Sequence, residues 1–305
     1  MLNMKISLLT IIAAAGITLI GCQIDYASYA PSVLACVLVW AIGRYCDHKG
    51  WKRASGLAGA LGALTAASIA AASLTYGLGA LKRPYIDATL AAIDAWFGLS
   101  ASETVTFVGS HPLLHTVLAY AYGTMGVQTL LVVLCVKRPQ VFLTRMILGA
   151  LVMAACFAFW PAQGSCVYFN LPVPDYYAQV LRDLDGLQRG QVINLGKITG
   201  IVTFPSFHTI WAVLLAAAFW PTRLRWPALA LNGLVIASVV PIGMHYYADL
   251  AAGILIAAIA LALTRRKVEV RPGDAPCQTS KTNNSSNRYL VATTSPWPAA
   301  TTTGP

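Results

Sequence analysis

The chain has 305 residues, of which 57% are hydrophobic and only 10% charged, and its mean hydropathy is +0.64. A water-soluble domain carries about 25% charged residues, so composition excludes an ordinary soluble fold and indicates a polytopic membrane protein. The net charge of +10 does not point to a nucleic-acid partner, because the basic residues sit mostly in short turns between apolar runs, where they set topology.

In chain order, Lys5 precedes an apolar run from Ile6 to Ile20 that ends Leu19-Ile20-Gly21-Cys22. That ending resembles a bacterial lipoprotein signal, and the run is short for a span. A retained first helix and a cleaved signal both leave residue 22 on the outer side. Further spans are expected at Pro31–Tyr45, Ser55–Leu81, Leu113–Val136, Val141–Trp160, Ser206–Trp220, Trp226–Gly243 and Tyr246–Leu263. The Ala- and Gly-rich third run permits close helix packing. Between Lys82-Arg83-Pro84 and His111, Ile86, Leu90, Ile93 and Phe97 recur at helical spacing, with Asp87 and Asp94 a heptad apart. This reads as a short amphipathic surface helix whose carboxylates are solvated or cap a helix. The longest polar loop, Pro161 to Thr203, contains a second amphipathic stretch from Asp175 to Leu187, a lid or a structural loop.

With eight spans, the positive turns near residues 5, 44–53, 137, 223 and 265 all fall on one side, which is then cytoplasmic. The expected organisation is an all-α, polytopic membrane bundle. It comprises N-terminal helices (1–54), a catalytic membrane domain (55–266) and a disordered cytoplasmic tail (267–305) rich in Thr, Ser, Asn and Pro. Both termini would be cytoplasmic, in a plasma membrane of the bacterial inner-membrane type.

Seven cysteines show no CxxC and no ligand spacing. Most lie in apolar runs and read as small buried hydrophobes, while Cys22 and Cys166 could pair in an oxidising compartment. Trp160, Tyr168, Phe169, Tyr246 and Tyr247 read as an interfacial aromatic belt.

Two segments carry the chemistry: Val202-Thr-Phe-Pro-Ser-Phe-His-Thr209 and Gly243-Met-His-Tyr-Tyr-Ala-Asp-Leu-Ala-Ala-Gly253. Each sets a histidine where an apolar helix begins. His245 and Asp249 are four residues apart and share a helix face. A carboxylate there accepts the Nδ1 proton and leaves Nε2 free, as a nucleophilic imidazole requires. His208 follows Pro205 and Ser206, and proline suits the first turn of a helix. If both helices start on one side of the membrane, two positive ends converge on one place and favour a phosphate. Phosphoryl transfer through His245 follows, with Asp249 orienting it and His208 as acid and then base.

These segments resemble the second and third signatures of the type-2 phosphatidic acid phosphatase superfamily, most closely its inositol phosphorylceramide synthase-like (inositolphosphotransferase) branch, over about residues 80–264. The resemblance implies a six-helix core, catalysis without a metal or other cofactor, and a lipid phosphate or phospholipid substrate. By it, His245 corresponds to the nucleophile, His208 to the acid, Asp249 to the orienting carboxylate and Ser206 to a phosphate ligand. Three positions depart from the wider pattern. Tyr76 stands where the first signature has lysine, Phe207 where the second has glycine, and Val239 where the third has arginine. Two phosphate-binding cations are thus replaced, and the candidates for their work are Arg83 first, then Lys82, Lys197, Arg182 and Arg189. A transporter or scaffold that kept the fold without the chemistry is the competing reading. A metal-dependent hydrolase with His208, His245 and Asp249 as ligands is a third. Separately, His111 and His115 are i, i+4, a possible metal pair, but no third ligand follows at useful spacing.

Overall fold

A computed structural model describes residues 24–194 and 200–264. The expected first span (Ile6–Ile20), Cys22, Lys197 and the tail 267–305 lie outside the described residues. Apart from one two-residue parallel pair, Ile24–Asp25 with Ile193–Asn194, the regular structure is helical.

The first two helices, α1 (Ala30–His48) and α2 (Lys52–Gly79), form an antiparallel hairpin across the basic turn at Lys49–Arg53. The alanines of α2 let its neighbours approach, and its buried residues include Ala60, Ala66 and Ala70. Next come two short helices, α3 (Asp87–Trp96) and α4 (Ala101–Gly109). The sequence reading contains α3 but not α4. The signal for α4 is Ser100-Ala-Ser-Glu103, whose first hydroxyl accepts a hydrogen bond from the Glu103 amide at 3.2 Å.

The expected span Leu113–Val136 is interrupted for one residue. It becomes α5 (Pro112–Gly123) and α6 (Met125–Cys135). At the break, the Thr124 hydroxyl donates to the Ala121 carbonyl at 2.7 Å, and the Thr124 amide bonds the same carbonyl at 3.1 Å. A threonine side chain competing for backbone acceptors tightens a helix locally. Then follow α7 (Pro139–Phe159), a four-residue turn α8 (Ser165–Tyr168), α9 (Asp175–Arg189), α10 (Phe207–Phe219), α11 (Arg225–Val239) and α12 (Tyr247–Leu263).

Among the described residues, three stretches are long and apolar enough to cross a membrane: Lys52–Gly79, Pro112–Cys135 and Pro139–Phe159. At 1.5 Å per residue they reach about 42, 36 and 32 Å, against a hydrocarbon core of about 30 Å. The helices α10, α11 and α12 are apolar but shorter. Helix α10 is the axis of the bundle and packs against α6, α7, α11 and α12. Its Ile210, Ala212, Leu214 and Leu215 are fully buried. Lipid chains are as apolar as leucine, so close packing of these side chains, and not their removal from water, holds the neighbouring helices to α10.

The face that α3 buries differs from the expectation. Asp87, Leu90 and Asp94 point into the protein, whereas Ile93, Trp96 and Phe97 are exposed. Three aromatic and aliphatic side chains on the outer face suit a membrane interface. The inward aspartates need partners, and the neighbouring loops supply them.

Candidate active site

Helix α10 begins at Ser206, which follows the cis Phe204–Pro205 bond. The Ser206 hydroxyl accepts from the Thr209 amide at 3.3 Å and its carbonyl accepts from the Ile210 amide at 3.2 Å. Its own amide donates to the Asp249 carbonyl at 3.3 Å, which ties the start of α10 to the start of α12. The two helices approach so closely because of Gly253. A Cβ there would fall 2.8 Å from the Ser206 carbonyl oxygen and 2.9 Å from Thr209 Cβ.

His245 ends the loop before α12. Its Nδ1 lies 3.0 Å from Asp249 Oδ2, and both side chains are buried. A carboxylate only accepts, so Nδ1 carries the proton and Nε2 presents its lone pair. The same Oδ2 accepts from the Tyr246 amide at 2.9 Å, which holds the carboxylate in place. The His208 and His245 ring centroids are 6.3 Å apart, with planes at 65°. One tetrahedral anion hydrogen-bonded to both rings needs a separation of roughly 5–8 Å, with contacts of about 3 Å on each side. His208 also stacks on Tyr122, with centroids 4.4 Å apart and planes at 24°. Nothing in the sequence pattern pointed to Tyr122.

The two helix ends are not alike, contrary to the expectation of two anion-attracting termini. At α12 the exposed amides are already used. Asp94 accepts from the Tyr247 amide at 2.9 Å and from the Ala248 amide at 2.8 Å. Burial raises the pKa of Asp94, and those two amides oppose the rise. The heptad-spaced aspartates are therefore buried hydrogen-bonded groups rather than solvated ones, and Asp94 is a cap supplied by a distant helix. Tyr246 is likewise not part of an interfacial belt: it is fully buried, and its hydroxyl donates to Asp87 at 2.9 Å.

Ser206 is the α10 cap, two residues before His208. Lys82 and Arg83 stand exposed in the turn after α2, with no ion pair among the described residues. Arg182 and Arg189 occupy the exposed side of α9, bonded to Gln179 and Asp185. The positions where the resemblance expects cations hold neutral buried groups. Tyr76 donates to Asp183 on α9, and Val239 is fully buried.

Helix α9 roofs this region. The Tyr176 hydroxyl donates to the Ile242 carbonyl. The Tyr177 hydroxyl donates to the Gln163 carbonyl at 2.8 Å and meets Thr203 Oγ1 at 3.0 Å. Beneath the site, a cavity of about 330 Å³ runs between α2, α6, α7 and α10. Ala67, Ala71, Met146, Ala150 and Trp211 line it, and His208 is the single titratable residue in its wall. His111 bonds the Phe107 carbonyl through Nδ1 at 2.7 Å and, like His115, is exposed. Among the described residues no cluster of three His, Cys, Asp or Glu side chains is placed to hold a metal.

A search of curated proteins and a search of solved structures each returned no match. A family model does match. It covers residues 88–263, more than half of the 305-residue chain, and takes in both histidine segments but not the Tyr76–Pro84 stretch. That model is described as the PAP2 superfamily, without distinction of branch. With an imidazole pair and an orienting carboxylate at the junction of α10 and α12, and this match over them, the chain belongs to the PAP2 superfamily.

Proposed function

We propose that the protein is an integral-membrane phosphatase or phosphotransferase that cleaves a lipid-linked phosphoester through a phosphohistidine intermediate. The supporting observation is the pair of imidazoles 6.3 Å apart with a carboxylate behind only one of them. Superfamily membership supports phosphate-ester chemistry.

In the first step, His245 Nε2 forms a bond to phosphorus while the ester P–O bond breaks. The departing alkoxide takes a proton from His208. The Nδ1 proton of His245 stays on the ring, hydrogen-bonded to the Asp249 carboxylate, whose negative charge balances the positive charge developing on the imidazole. In the second step, His208 removes a proton from the acceptor hydroxyl, the new P–O bond forms and the N–P bond breaks. Water as acceptor releases phosphate; a lipid or sugar hydroxyl receives the group instead. Ser206, the free amides of the first α10 turn and Arg83, Lys82 or Lys197 are the proposed phosphate ligands. The apolar cavity reaching His208 supports a substrate with a hydrocarbon tail.

The proposed topology has eight spans, with both termini cytoplasmic and the imidazole pair at the outer face. Inositolphosphotransferase-like specificity is the branch we favour, because Tyr76 and Val239 stand where other members of the resemblance carry cations. The same replacement supports the competing reading of a non-catalytic transporter or scaffold.

Purified protein given a diacylglycerol phosphate, with and without an alcohol acceptor, separates these readings. Phosphate release that ignores the acceptor eliminates the transferase. Turnover that persists in His245→Ala, or is insensitive to vanadate in the wild type, eliminates the phosphohistidine route.

A further inference from the structure

Asp87 opens α3 with a buried carboxylate, and three donors from other parts of the chain converge on it. The Gln163 amide lies at 2.9 Å from Oδ2, the Gly164 amide at 2.9 Å from Oδ1 and the Tyr246 hydroxyl at 2.9 Å from Oδ1. A carboxylate only accepts, so the Tyr246 hydroxyl is the donor in that contact. The Ile86 amide adds a bond to the Pro161 carbonyl at 2.9 Å. Leu90, one turn on, packs with Ala162 and Tyr246.

Both chain neighbours of His245 are reached from this carboxylate. On one side is Tyr246 itself. On the other, the Ser165 amide, next to Gly164, donates to the Met244 carbonyl at 2.9 Å. Met244 holds a left-handed backbone with φ of 58°, a conformation that a non-glycine residue keeps only when its surroundings impose it. Gly164, at φ of 107°, has no room for a side chain: a Cβ would lie 2.5 Å from Tyr177 Oη and 3.0 Å from the Met244 carbonyl oxygen. The turn at 163–165 therefore transmits position from Asp87 to the loop that carries His245.

We propose that Asp87 is a positioning residue for phosphoryl transfer, fastening the Gln163–Gly164 turn and the Tyr246 side chain together so that His245 stands at the reacting distance. The proposal rests on the phosphohistidine reading above. A carboxylate suits the task because it offers about four acceptor sites and no donor. Asparagine offers one oxygen and turns its NH₂ toward groups that are themselves donors, so the turn and the ring separate. A displacement of about 1 Å at a reacting group costs about 100-fold in rate.

The test uses the full-length protein in detergent with a diacylglycerol phosphate, and compares wild type, Asp87→Asn, Tyr246→Phe, the double variant and His245→Ala. The expected result is a kcat about 100-fold lower for Asp87→Asn and about 10-fold lower for Tyr246→Phe, each with KM within about twofold. Tyr246→Phe adds little in the Asp87→Asn background, because the two act as one unit. The proposal is overturned if kcat of both variants stays within about twofold of wild type, or if KM rises as far as kcat falls. Should Asp87→Asn fail to fold, Tyr246→Phe decides alone by the same split. A wild type without turnover, or an active His245→Ala, sinks the phosphohistidine reading and the positioning role with it. A dead His245→Ala beside fully active Asp87→Asn and Tyr246→Phe sinks the positioning role only.

Discussion

The starts of α10 and α12 look alike in sequence, each with a histidine at the mouth of an apolar helix, yet they are built differently. At α12 two aspartates use the first amides: Asp94 takes those of Tyr247 and Ala248, and Asp249 takes that of Tyr246 together with the His245 ring. At α10 a neutral serine caps the helix, and among the described residues the His208 ring stacks on an aromatic face and is hydrogen-bonded to no carboxylate. A helix N-terminus carries roughly half a positive charge. At α12 that charge is spent on the protein's own carboxylates. Under the proposed function, the α10 end is the one that would meet the phosphate, the held imidazole would be the nucleophile and the other would exchange the proton.

The largest expected effect breaks the comparison at the held ring. His245→Ala should lower turnover at least about 10⁴-fold, and acid-labile labelling of the protein by a radioactive phosphoester should vanish. Asp249→Asn should cost about 10³-fold, because the carboxamide can present its own N–H to Nδ1 and leave Nε2 protonated; KM should hardly move. At the other ring, His208→Ala should cost about 10²- to 10³-fold on an alkyl phosphoester. A nitrophenyl ester, whose leaving group needs no proton, should recover most of that loss, whereas it should not rescue His245→Ala. Equal rescue of both variants would mean that the two ends do not divide the work in this way. Gly253→Ala tests the contact between the ends: its Cβ meets the Ser206 carbonyl oxygen at 2.8 Å. It should destabilise the fold by about 1–3 kcal/mol, read as a lower melting temperature in detergent. Tyr122→Leu, which removes the stacking partner of His208, should have the smallest effect, about 3- to 10-fold in turnover.

The roof and the floor of the site offer a second contrast. Helix α9 binds neighbouring loops through Tyr176 and Tyr177, and helix α2 through Asp183 and Tyr76, all by side-chain hydrogen bonds. The floor is a cavity with a mostly apolar wall. A polar roof over an apolar floor suits a substrate with a charged head and a greasy tail, and the imidazole pair lies near both.

By itself the sequence determined the membrane-like helical character, through the near absence of charge over long apolar runs. It also pointed to His245 with Asp249, although His245 ends the loop before α12 instead of lying on the helix, and it is the turn at Tyr246 that brings its ring to the carboxylate. The place of α3 was legible in its periodicity, but the face it buries was not. The apolar side Ile93, Trp96 and Phe97 faces outward, and Asp87 and Asp94 face inward, because in a membrane protein the surroundings are apolar and the interior must satisfy backbone amides. Only the tertiary structure decided what fills the end of α12, since Asp94 lies 153 residues before Tyr247. It alone brought Tyr122 onto His208 and set Tyr76 against Asp183. Local spacing fixes what one helix can present, while the partners of a buried polar group come from wherever the packed chain supplies a donor or acceptor.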